Sequence, residues 1–278
     1  MQRLKQERYK YSHQAPRIST TDPEARVMKR PGGGFEPSYN LQLSTDSAQG
    51  IVIGLEVNQS GADSPHLVKA IERVQATFGK MPCEIVADAA YTSAENIVAL
   101  HGKVKLIGPV QVASEARHCG ARTKAGIAKE FSHDHFVFEP ALRAYRCPEG
   151  KLLPYYKLSD TDACGKRYAY RAKASDCQSC TQKNACCPKT QARTVYRLEE
   201  NHILTQFREA METPERKQIY RQRAQIAEFP NAWIKDKLKL RQFHVRGLKK
   251  VKAEAIWAVL TYNIQQWIRL CWRVPATA

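Results

Sequence analysis

Residues 84–93 read EIVADAAYTS, and this stretch joins an apolar strand to an acidic residue. Residues 84–87 are typical of the end of a buried β-strand. Asp88 follows directly, and Thr92 and Ser93 belong to the residue types that cap helices. In open α/β sheets the reactive groups collect outside the carboxyl ends of the strands, so Asp88 lies where a ligand or metal ion would bind. Capping of the following helix is the other role open to Asp88.

The segments around this stretch predict a mixed α/β fold. A β-hairpin, made of two strand-like runs joined by the polar turn DSAQG, comes first. It is followed by a helix that ends at Gly79, the strand before Asp88, a second helix and a second strand. This order indicates a mixed sheet flanked by helices. The predicted bounds are, in order, 39–45 and 51–57, 67–78, 84–87, 93–100 and 104–109.

The remaining chain divides into three parts by pattern. Residues 1–38 hold few apolar residues and a PGGG turn, which predicts an N-terminal arm with little strand of its own. Residues 39–110 are the first part of the α/β domain. Residues 111–200 are polar, rich in Cys and Lys and without a sustained period, which predicts an insertion. Residues 201–278 predict helices that complete the α/β domain.

The C-terminal helices are predicted over 202–211, from 220–227 onward and over 248–269. The last of them carries two apolar stripes, and we expect both to be buried. The first stripe is formed by Val251, Ala255, Val259 and Tyr262. The second is formed by Trp257, Leu260, Ile264 and Trp267.

The charge balance favours a polyanionic partner. The chain has 44 Lys and Arg against 27 Asp and Glu, a net charge of +17, and nucleic acid is the leading candidate for its partner. A merely basic, solvated surface is the alternative. The run KDKLKLRQFHVRGLKK predicts contacts to DNA phosphates by Lys235, Lys237, Lys239, Arg241, Arg246, Lys249 and Lys250. Because the chain has no secretory signal and no apolar run of membrane-spanning length, we expect an intracellular protein without a membrane partner.

Six of the nine cysteines fall between residues 147 and 187. A C-x-x-C pair has the bite that tetrahedral Zn²⁺ favours, and two further thiols complete a possible structural zinc site. The expected ligands are Cys147, Cys177, Cys180 and Cys186, with Cys164 or Cys187 as possible replacements. Reduced cysteines packed in a small lobe are the alternative.

A second acid lies in the run YRQRAQIAEFPNAWIK, residues 220–235. Tyr220, Arg223 and Glu228 can share one face of a helix, and Lys235 falls on nearly the same side if the helix survives Pro230. Two carboxylates in a basic protein suggest a Mg²⁺ or Mn²⁺ site that acts on phosphodiesters. Such sites use acids that converge from separate elements to hold two metal ions.

Four stretches together resemble insertion-sequence transposases of the DDE class. They are TTDPEARVMKRPGGGFEPSYNLQLSTD, ADAAYTS, YRCPEGKLL with CQSCTQKNAC, and YRQRAQIAEFPNAWIKDKLKLRQFHVRGLKKVKAEAIWAVLTYNIQQ, in the order of the family. The resemblance implies a ribonuclease H-like fold and a two-metal active site of Asp, Asp and Glu. It places the second catalytic Asp at Asp88 and the Y-x-x-R, E and K positions at Tyr220, Arg223, Glu228 and Lys235.

The chain departs from the family pattern in two places. Four residues separate Arg223 from Glu228, where the related signature often has three. The first catalytic Asp has no matching motif, and only Asp22 and Asp46 are near the expected region. Asp22 is the candidate on the arm, whereas Asp46 is typical of a turn. We expect that the chain begins after its first catalytic strand, as a truncated copy would.

The resemblance implies a transposase that cuts and transfers DNA at insertion-sequence ends. Its expected partners are the terminal repeats of double-stranded DNA and further copies of the chain in an active complex. Its expected location is the bacterial cytoplasm, with the nucleoid. The alternative is a catalytically inactive zinc- and DNA-binding protein derived from a transposase.

Overall fold

The computed structural model describes residues 18–29, 32–109 and 125–272. These residues form two compact units. The first unit is formed by described residues within Met1–Tyr91, Gly102–Gly108 and Thr213–Ala278, and the second by those within Thr92–His101 and Pro109–Glu212. The boundaries predicted from composition, near residues 38, 110 and 200, stay predictions.

The first unit is a mixed α/β structure, as predicted. Its strands are β1 (Arg26–Lys29), β2 (Phe35–Ser38), β3 (Asn40–Thr45), β4 (Val52–Asn58), β5 (Glu84–Val86) and β6 (Lys105–Ile107). Its helices are α1 (Leu67–Phe78), α6 (Pro214–Arg221), α7 (Phe229–Asp236) and α8 (Leu248–Cys271). The second unit holds α2 (Ala94–Leu100), α3 (Ala174–Gln178), α4 (Lys183–Cys186) and α5 (His202–Met211), with strands described below.

The elements predicted around residues 84–93 are confirmed. β3 and β4 form the antiparallel hairpin, and β5 and β6 pair in parallel. Gly79 ends α1 in the left-handed conformation, at φ 70°. The side chain of Ser93 caps α2 by accepting a hydrogen bond from the backbone N–H of Asn96. These elements follow from local periodicity and capping, which is why the sequence predicted them.

The hairpin and the β5–β6 pair are separate two-stranded sheets among the described residues. The sequence predicted a single mixed sheet. β1 and β2 form a further antiparallel hairpin, so the prediction of an arm with little strand was wrong for residues 26–29 and 35–38. Apolar content predicted the arm poorly because hairpin formation there depends on the Gly32–Gly34 turn, where Gly33 and Gly34 have positive φ. Residues 1–17 of the predicted arm lie outside the described part.

The long helix α8 packs against the β3–β4 hairpin and forms the core of the first unit. One buried cluster joins Val52 to Ile234, Val259 and Tyr262. A second joins Val57 to Val251 and Ala255. The first predicted stripe of α8 is therefore buried, as expected.

The prediction that the second stripe of α8 is also buried was wrong. Trp257 is 68% exposed, Trp267 is 61% exposed, and Leu260 and Ile264 are also exposed. Periodicity identifies residues that share a helix face, but the hairpin covers only one side of the helix. An apolar helix face therefore remains uncovered among the described residues.

The segment before Glu228 differs from the predicted single helix. α6 begins at Pro214, with Thr213 as its cap, rather than at Tyr220. A π-helical turn over Ala224–Glu228 separates α6 from α7. Pro230 lies in the first turn of α7, where its missing N–H leaves no hydrogen bond unmade. The proline thus starts a helix instead of breaking one.

The second unit contains a five-stranded antiparallel sheet where the sequence predicted an insertion without regular period. Its order is β11-β10-β9-β8-β7. The bounds are Val137–Glu139 for β7, Ala144–Arg146 for β8, Leu152–Asp162 for β9, Gly165–Arg171 for β10 and Thr194–Glu200 for β11. The prediction of irregular structure was wrong for these residues; residues 110–124 lie outside the described part.

The sheet escaped the sequence analysis because its strands bury few side chains. In β9 only Leu153 is buried, so the strand shows no alternation of apolar and polar residues. Gly165, at φ 135°, opens β10 beside the backbone of Glu199, and a Cβ there would lie 2.1 Å from the Glu199 carbonyl oxygen. The buried core of the second unit consists of Phe136, Tyr145, Leu153, Tyr170, Ala172 and Val195.

None of the described helices combines the length and the apolar character that a membrane span requires.

Candidate active site

A large cleft of ≈ 1980 Å³ lies within the first unit, and both predicted acids line it. Asp88 reaches it from the end of β5, and Glu228 from the end of the π turn. Consecutive residues of β3 and of β5 also line the cleft. Because successive side chains of a strand point to opposite faces, the cleft runs along the edges of these strands rather than over one face. The cleft thus separates the hairpin from the β5–β6 pair.

Asp88 is held in a tight turn directly after β5. One of its carboxylate oxygens, Oδ1, accepts a hydrogen bond of 2.8 Å from the backbone N–H of Ala90. The phenol of Tyr91 lies near both Asp88 and Asp63, and burial together with these two negative charges raises the pKa of Tyr91. Asp88 and Asp63 both line the cleft, together with Tyr91.

Asp63 also lines the cleft, and the sequence did not predict it as a site residue. It lies just before Ser64–Pro65, a position typical of a helix cap, so its sequence context pointed to a structural role. In the structure its carboxylate makes no cap bond and instead accepts hydrogen bonds from Asn40, at 2.7 Å, and Gln42, at 3.1 Å. Asp63 thereby joins the start of α1 to β3. Asn40 and Gln42 are far from Asp63 in the sequence, so the local sequence around Asp63 does not reveal these hydrogen bonds.

The predicted Tyr220, Arg223 and Glu228 form one contiguous group. The Arg223 guanidinium donates a hydrogen bond to Glu228 Oε1 and lies 5.6 Å from the centre of the Tyr220 ring. A π-helical turn is closed by i→i+5 hydrogen bonds, so it brings positions 223 and 228 onto the same side. The π turn thus accommodates the one additional residue that this chain has between Arg223 and Glu228, compared with the related signature. Arg223 therefore contacts Glu228 despite the longer spacing, and Tyr220 lies next to Arg223.

Lys235 lies on α7 and also lines the cleft. The seven residues expected to contact DNA are all exposed: Lys235, Lys237, Lys239, Arg241, Arg246, Lys249 and Lys250. Arg241 is paired with Asp236 at 2.7 Å. Trp233 and Phe243, by contrast, pack in the core, where Trp233 contacts the Tyr262 ring at 5.5 Å and Phe243 contacts Tyr39 at 6.3 Å. The basic segment presents charge rather than aromatic rings.

Asp22, the candidate for the first catalytic Asp, accepts hydrogen bonds from near and from distant parts of the chain. The Tyr39 hydroxyl lies 2.9 Å from both of its carboxylate oxygens, and the backbone N–H of Gly247 donates to Oδ2 at 3.2 Å. Burial alone would raise its pKa, but the hydrogen bonds from Gly247, Tyr39 and Glu24 outweigh it and lower the pKa of Asp22. This carboxylate fastens the segment before β1 to the start of α8.

Four of the predicted cysteine ligands line a small cavity of ≈ 30 Å³ in the second unit: Cys147, Cys177, Cys180 and Cys186. Cys187 lines it too, whereas Cys164 lies in the β9–β10 turn. The backbone N–H of Lys151 donates to Cys147 Sγ at 3.3 Å, and that of Arg193 to Cys177 Sγ at 3.5 Å. Burial raises the pKa of the Cys186 thiol to about 12, so it is protonated at neutral pH.

In the part of the chain that the structure describes, no group of three or more His, Cys, Asp or Glu side chains is placed so that it could hold a metal ion. The two acids on the cleft do not by themselves make a complete two-metal site, and the thiols do not lie in a ligand geometry. The Mg²⁺ or Mn²⁺ site and the zinc site therefore stay predictions.

The first unit is thus a mixed α/β structure in which a helix-borne Glu and a strand-end Asp line one cleft beside a basic segment. Residues 146–268 match the family model described as a transposase DDE domain. The matched range includes Tyr220, Arg223, Glu228 and Lys235, and it ends before the last turn of α8. This match supports a transposase of the DDE class, as the sequence motifs indicated. No curated protein and no solved structure matches it.

Proposed function

We propose that this protein cuts and transfers DNA at the ends of an insertion sequence, with Asp88 and Glu228 as two of its catalytic acids. The observation that carries the proposal is the match to the transposase DDE domain, which includes Glu228 and its partners. The shared cleft supports it further, because Asp88, which lies outside the matched range, lines the same cavity as Glu228.

The ribonuclease H-like architecture is part of this proposal. β3 and β5 belong to separate two-stranded sheets, and their edges line the same cleft. An extended strand in the cleft would join them into one mixed sheet, with hydrogen bonds on both of its sides. Such a strand would end near Asp88 and is the natural carrier of a further carboxylate.

Divalent ions, which transposase DDE domains generally use, would supply the activation of the attacking oxygen and the stabilisation of the leaving one. The described residues fit this role incompletely. Glu228 is engaged by Arg223, and Asp22, Asp46 and Asp63 are each engaged by hydrogen bonds to neighbouring groups. The chain's own contribution is therefore the placement of Asp88 and Glu228 and, through its exposed lysines and arginines, the binding of DNA phosphates.

The test is a nicking and strand-transfer assay with the full 278-residue protein, Mn²⁺ and a plasmid that carries the DNA flanking its gene. We expect Asp88→Asn and Glu228→Gln each to lower nicking by more than about 100-fold, since even the loss of groups that only support metal ligands costs 10- to 100-fold. Glu130→Gln is the matched control, because Glu130 is exposed in the second unit and does not line the cleft.

DNA affinity is measured in parallel for all variants. Equal nicking by wild type, Asp88→Asn and Glu228→Gln would refute the assignment of the two acids. The second candidate function is a non-catalytic zinc- and DNA-binding protein, and the grouping of Cys147, Cys177, Cys180 and Cys186 around one small cavity favours it. DNA binding without any nicking by the wild type, together with zinc retained after dialysis, would support it.

A further inference from the structure

The C-terminal helix α8 has two faces of opposite character. Residues 257, 260, 264, 267 and 271 repeat at spacings of three and four, which is the heptad pattern of a helix–helix seam. All five are exposed, and we call this set the α8 seam: Trp257, Leu260, Ile264, Trp267 and Cys271. The buried residues Val251, Ala255, Val259 and Tyr262 lie on the other side of the helix.

The inner face of α8 is fixed by polar contacts as well as by its core. Asn263 clamps β4 by accepting a 2.9 Å hydrogen bond from the backbone N–H of Val52 and donating one of 2.8 Å to its carbonyl. Tyr262 and Gln266 donate to the carbonyls of Gly50 and Gln49 in the hairpin turn. Because the helix cannot roll on the hairpin without breaking these bonds, the seam is held facing outward.

The exposed apolar surface is large enough for a stable interface. Ile256, Ile268 and Trp272 flank the seam and are 49%, 41% and 76% exposed. Together with the seam they expose on the order of 800 Å², which is the area that each partner contributes to a standard protein–protein interface. Patches of this size on soluble proteins mark interaction sites.

The chemistry of this surface limits the class of partner that can bind it. No charged residue occurs from Ile256 to Ile268, although the chain as a whole carries a net charge of +17. A polyanion would find no cation there, so DNA does not fit this face. The partner must present a matching uncharged apolar ridge, and the seam is itself such a ridge, with aromatic residues near both ends and aliphatic residues between them.

We propose that the α8 seam binds the α8 seam of a second copy of the chain, with the two helices antiparallel. A two-fold axis midway along the seam places Trp257 against the partner's Trp267 and Leu260 against the partner's Ile264. This arrangement is self-complementary, as a two-fold interface requires. It also places Ala253, the next seam position toward the N-terminus, against the partner's Cys271.

The antiparallel direction is favoured by charge. Lys249, Lys250 and Lys252 lie in the first turns of α8, so a parallel pair would bring six lysines together. In the antiparallel pair these lysines lie near the partner's helix C-terminus, where the helix dipole favours positive charge. The inference concerns a surface remote from the chemistry and stands whether or not the protein cuts DNA.

The first experiment measures the mass of the full chain in solution by light scattering at micromolar concentration. We expect twice the chain mass of 31.5 kDa for the wild type. The double variant Trp257→Lys/Trp267→Lys should have the mass of a monomer, because it buries four like charges in the interface. Leu142→Lys is the matched control: Leu142 is 55% exposed in the second unit, and its replacement should leave the dimer intact. A monomeric wild type, or a dimer that survives the double variant, would overturn the proposal.

The second experiment fixes the direction of the helices without disturbing the seam. Under mild oxidation, Ala253→Cys should give a disulfide-linked dimer that is lost when Cys271→Ser is added. Mass spectrometry of the digested dimer should identify the linkage between positions 253 and 271. A linkage between two copies of Cys271, or between two copies of position 253, would show a parallel pair and refute the proposed register.

Discussion

At the residue scale, Asp22 shows how one carboxylate ties together distant parts of the chain. It accepts hydrogen bonds from Tyr39, from the backbone of Glu24 and from the backbone of Gly247. Next to it, Glu24 accepts one from the backbone N–H of Leu248. These bonds satisfy N–H groups at the start of α8 that no helical carbonyl can reach. The residue expected as a possible catalytic acid therefore has a structural function that this geometry explains.

We predict that Asp22→Asn lowers the free energy of unfolding by about 1–2 kcal/mol at pH 7, a value reduced because the side chain is partly exposed. The folded-state pKa of Asp22 is lowered, so its contribution is complete above the unfolded-state value near 4 and is lost as the pH falls through the folded-state value. Urea titrations from pH 7 to pH 3 should therefore show the difference from wild type shrinking below about pH 4.

Tyr39→Phe should reproduce part of this loss, since it removes one donor to Asp22. Glu130→Gln, at an exposed position in the second unit, should have no such effect. A difference between Asp22→Asn and wild type that stays constant down to pH 3 would mean that the hydrogen-bonded charge does not carry the effect.

At the element scale, the π-helical turn between α6 and α7 places Glu228. A turn of this kind costs stability relative to an α-helix and occurs mostly at functional sites. Here it keeps Arg223 in contact with Glu228 although an additional residue separates them. The turn is followed by Pro230, which lies in the first turn of α7, where no N–H is required for a helical hydrogen bond.

We predict that deletion of Gln225, an exposed residue in this turn, is tolerated, with a thermal midpoint within about 3 °C of wild type. The deletion converts the π turn to an α turn and keeps Arg223 and Glu228 on one side. The matched control is deletion of Gln265, also exposed but within α8. This deletion rotates the rest of α8 by about 100° and removes Gln266 from the hairpin turn, so it should cost several degrees or unfold the protein. Equal effects of the two deletions would contradict this account of the turn.

At the scale of the whole molecule, the net charge of +17 favours the binding of a polyanion. Residues 201–278 hold 15 Lys and Arg against 6 acids, and the lysines and arginines between 235 and 250 are exposed. Contacts to phosphates release counterions, so affinity that depends on them falls steeply with salt. This behaviour separates phosphate binding from binding through apolar contacts.

We predict that affinity for linear duplex DNA falls steeply between 50 and 200 mM NaCl, as phosphate contacts require. Replacing four exposed lysines of the C-terminal segment by Gln should weaken binding and reduce the salt slope by up to about four units. The replaced residues are Lys235, Lys237, Lys239 and Lys249. A control variant with the same charge change carries Gln at Lys129, Lys157, Lys166 and Lys173 and should bind more nearly like wild type. A flat salt profile of the wild type, or equal losses in both variants, would refute the assignment of this segment.

The sequence alone predicted several elements whose signal is local. The β3–β4 hairpin, α1 with Gly79, the strand before Asp88 and the full extent of α8 each follow from periodicity, turn residues and caps within a few positions of one another. The motifs around Asp88 and Glu228 also pointed to the DDE class, which the match over residues 146–268 confirms. These features needed no knowledge of long-range contacts.

The missed features depend on which surfaces meet. The strands β7–β11 are mostly exposed, so no alternation marked them, and their pairing joins positions far apart in sequence. The Trp257 stripe of α8 is apolar but uncovered, because periodicity defines a face and only a neighbouring element can bury it. Asp63 is held by hydrogen bonds from β3, and Asp22 accepts one from the backbone N–H of Gly247. In each case the burial, pairing or hydrogen bonding of these residues depends on segments that are distant in the sequence. A local sequence pattern does not show which distant segment will be the neighbour.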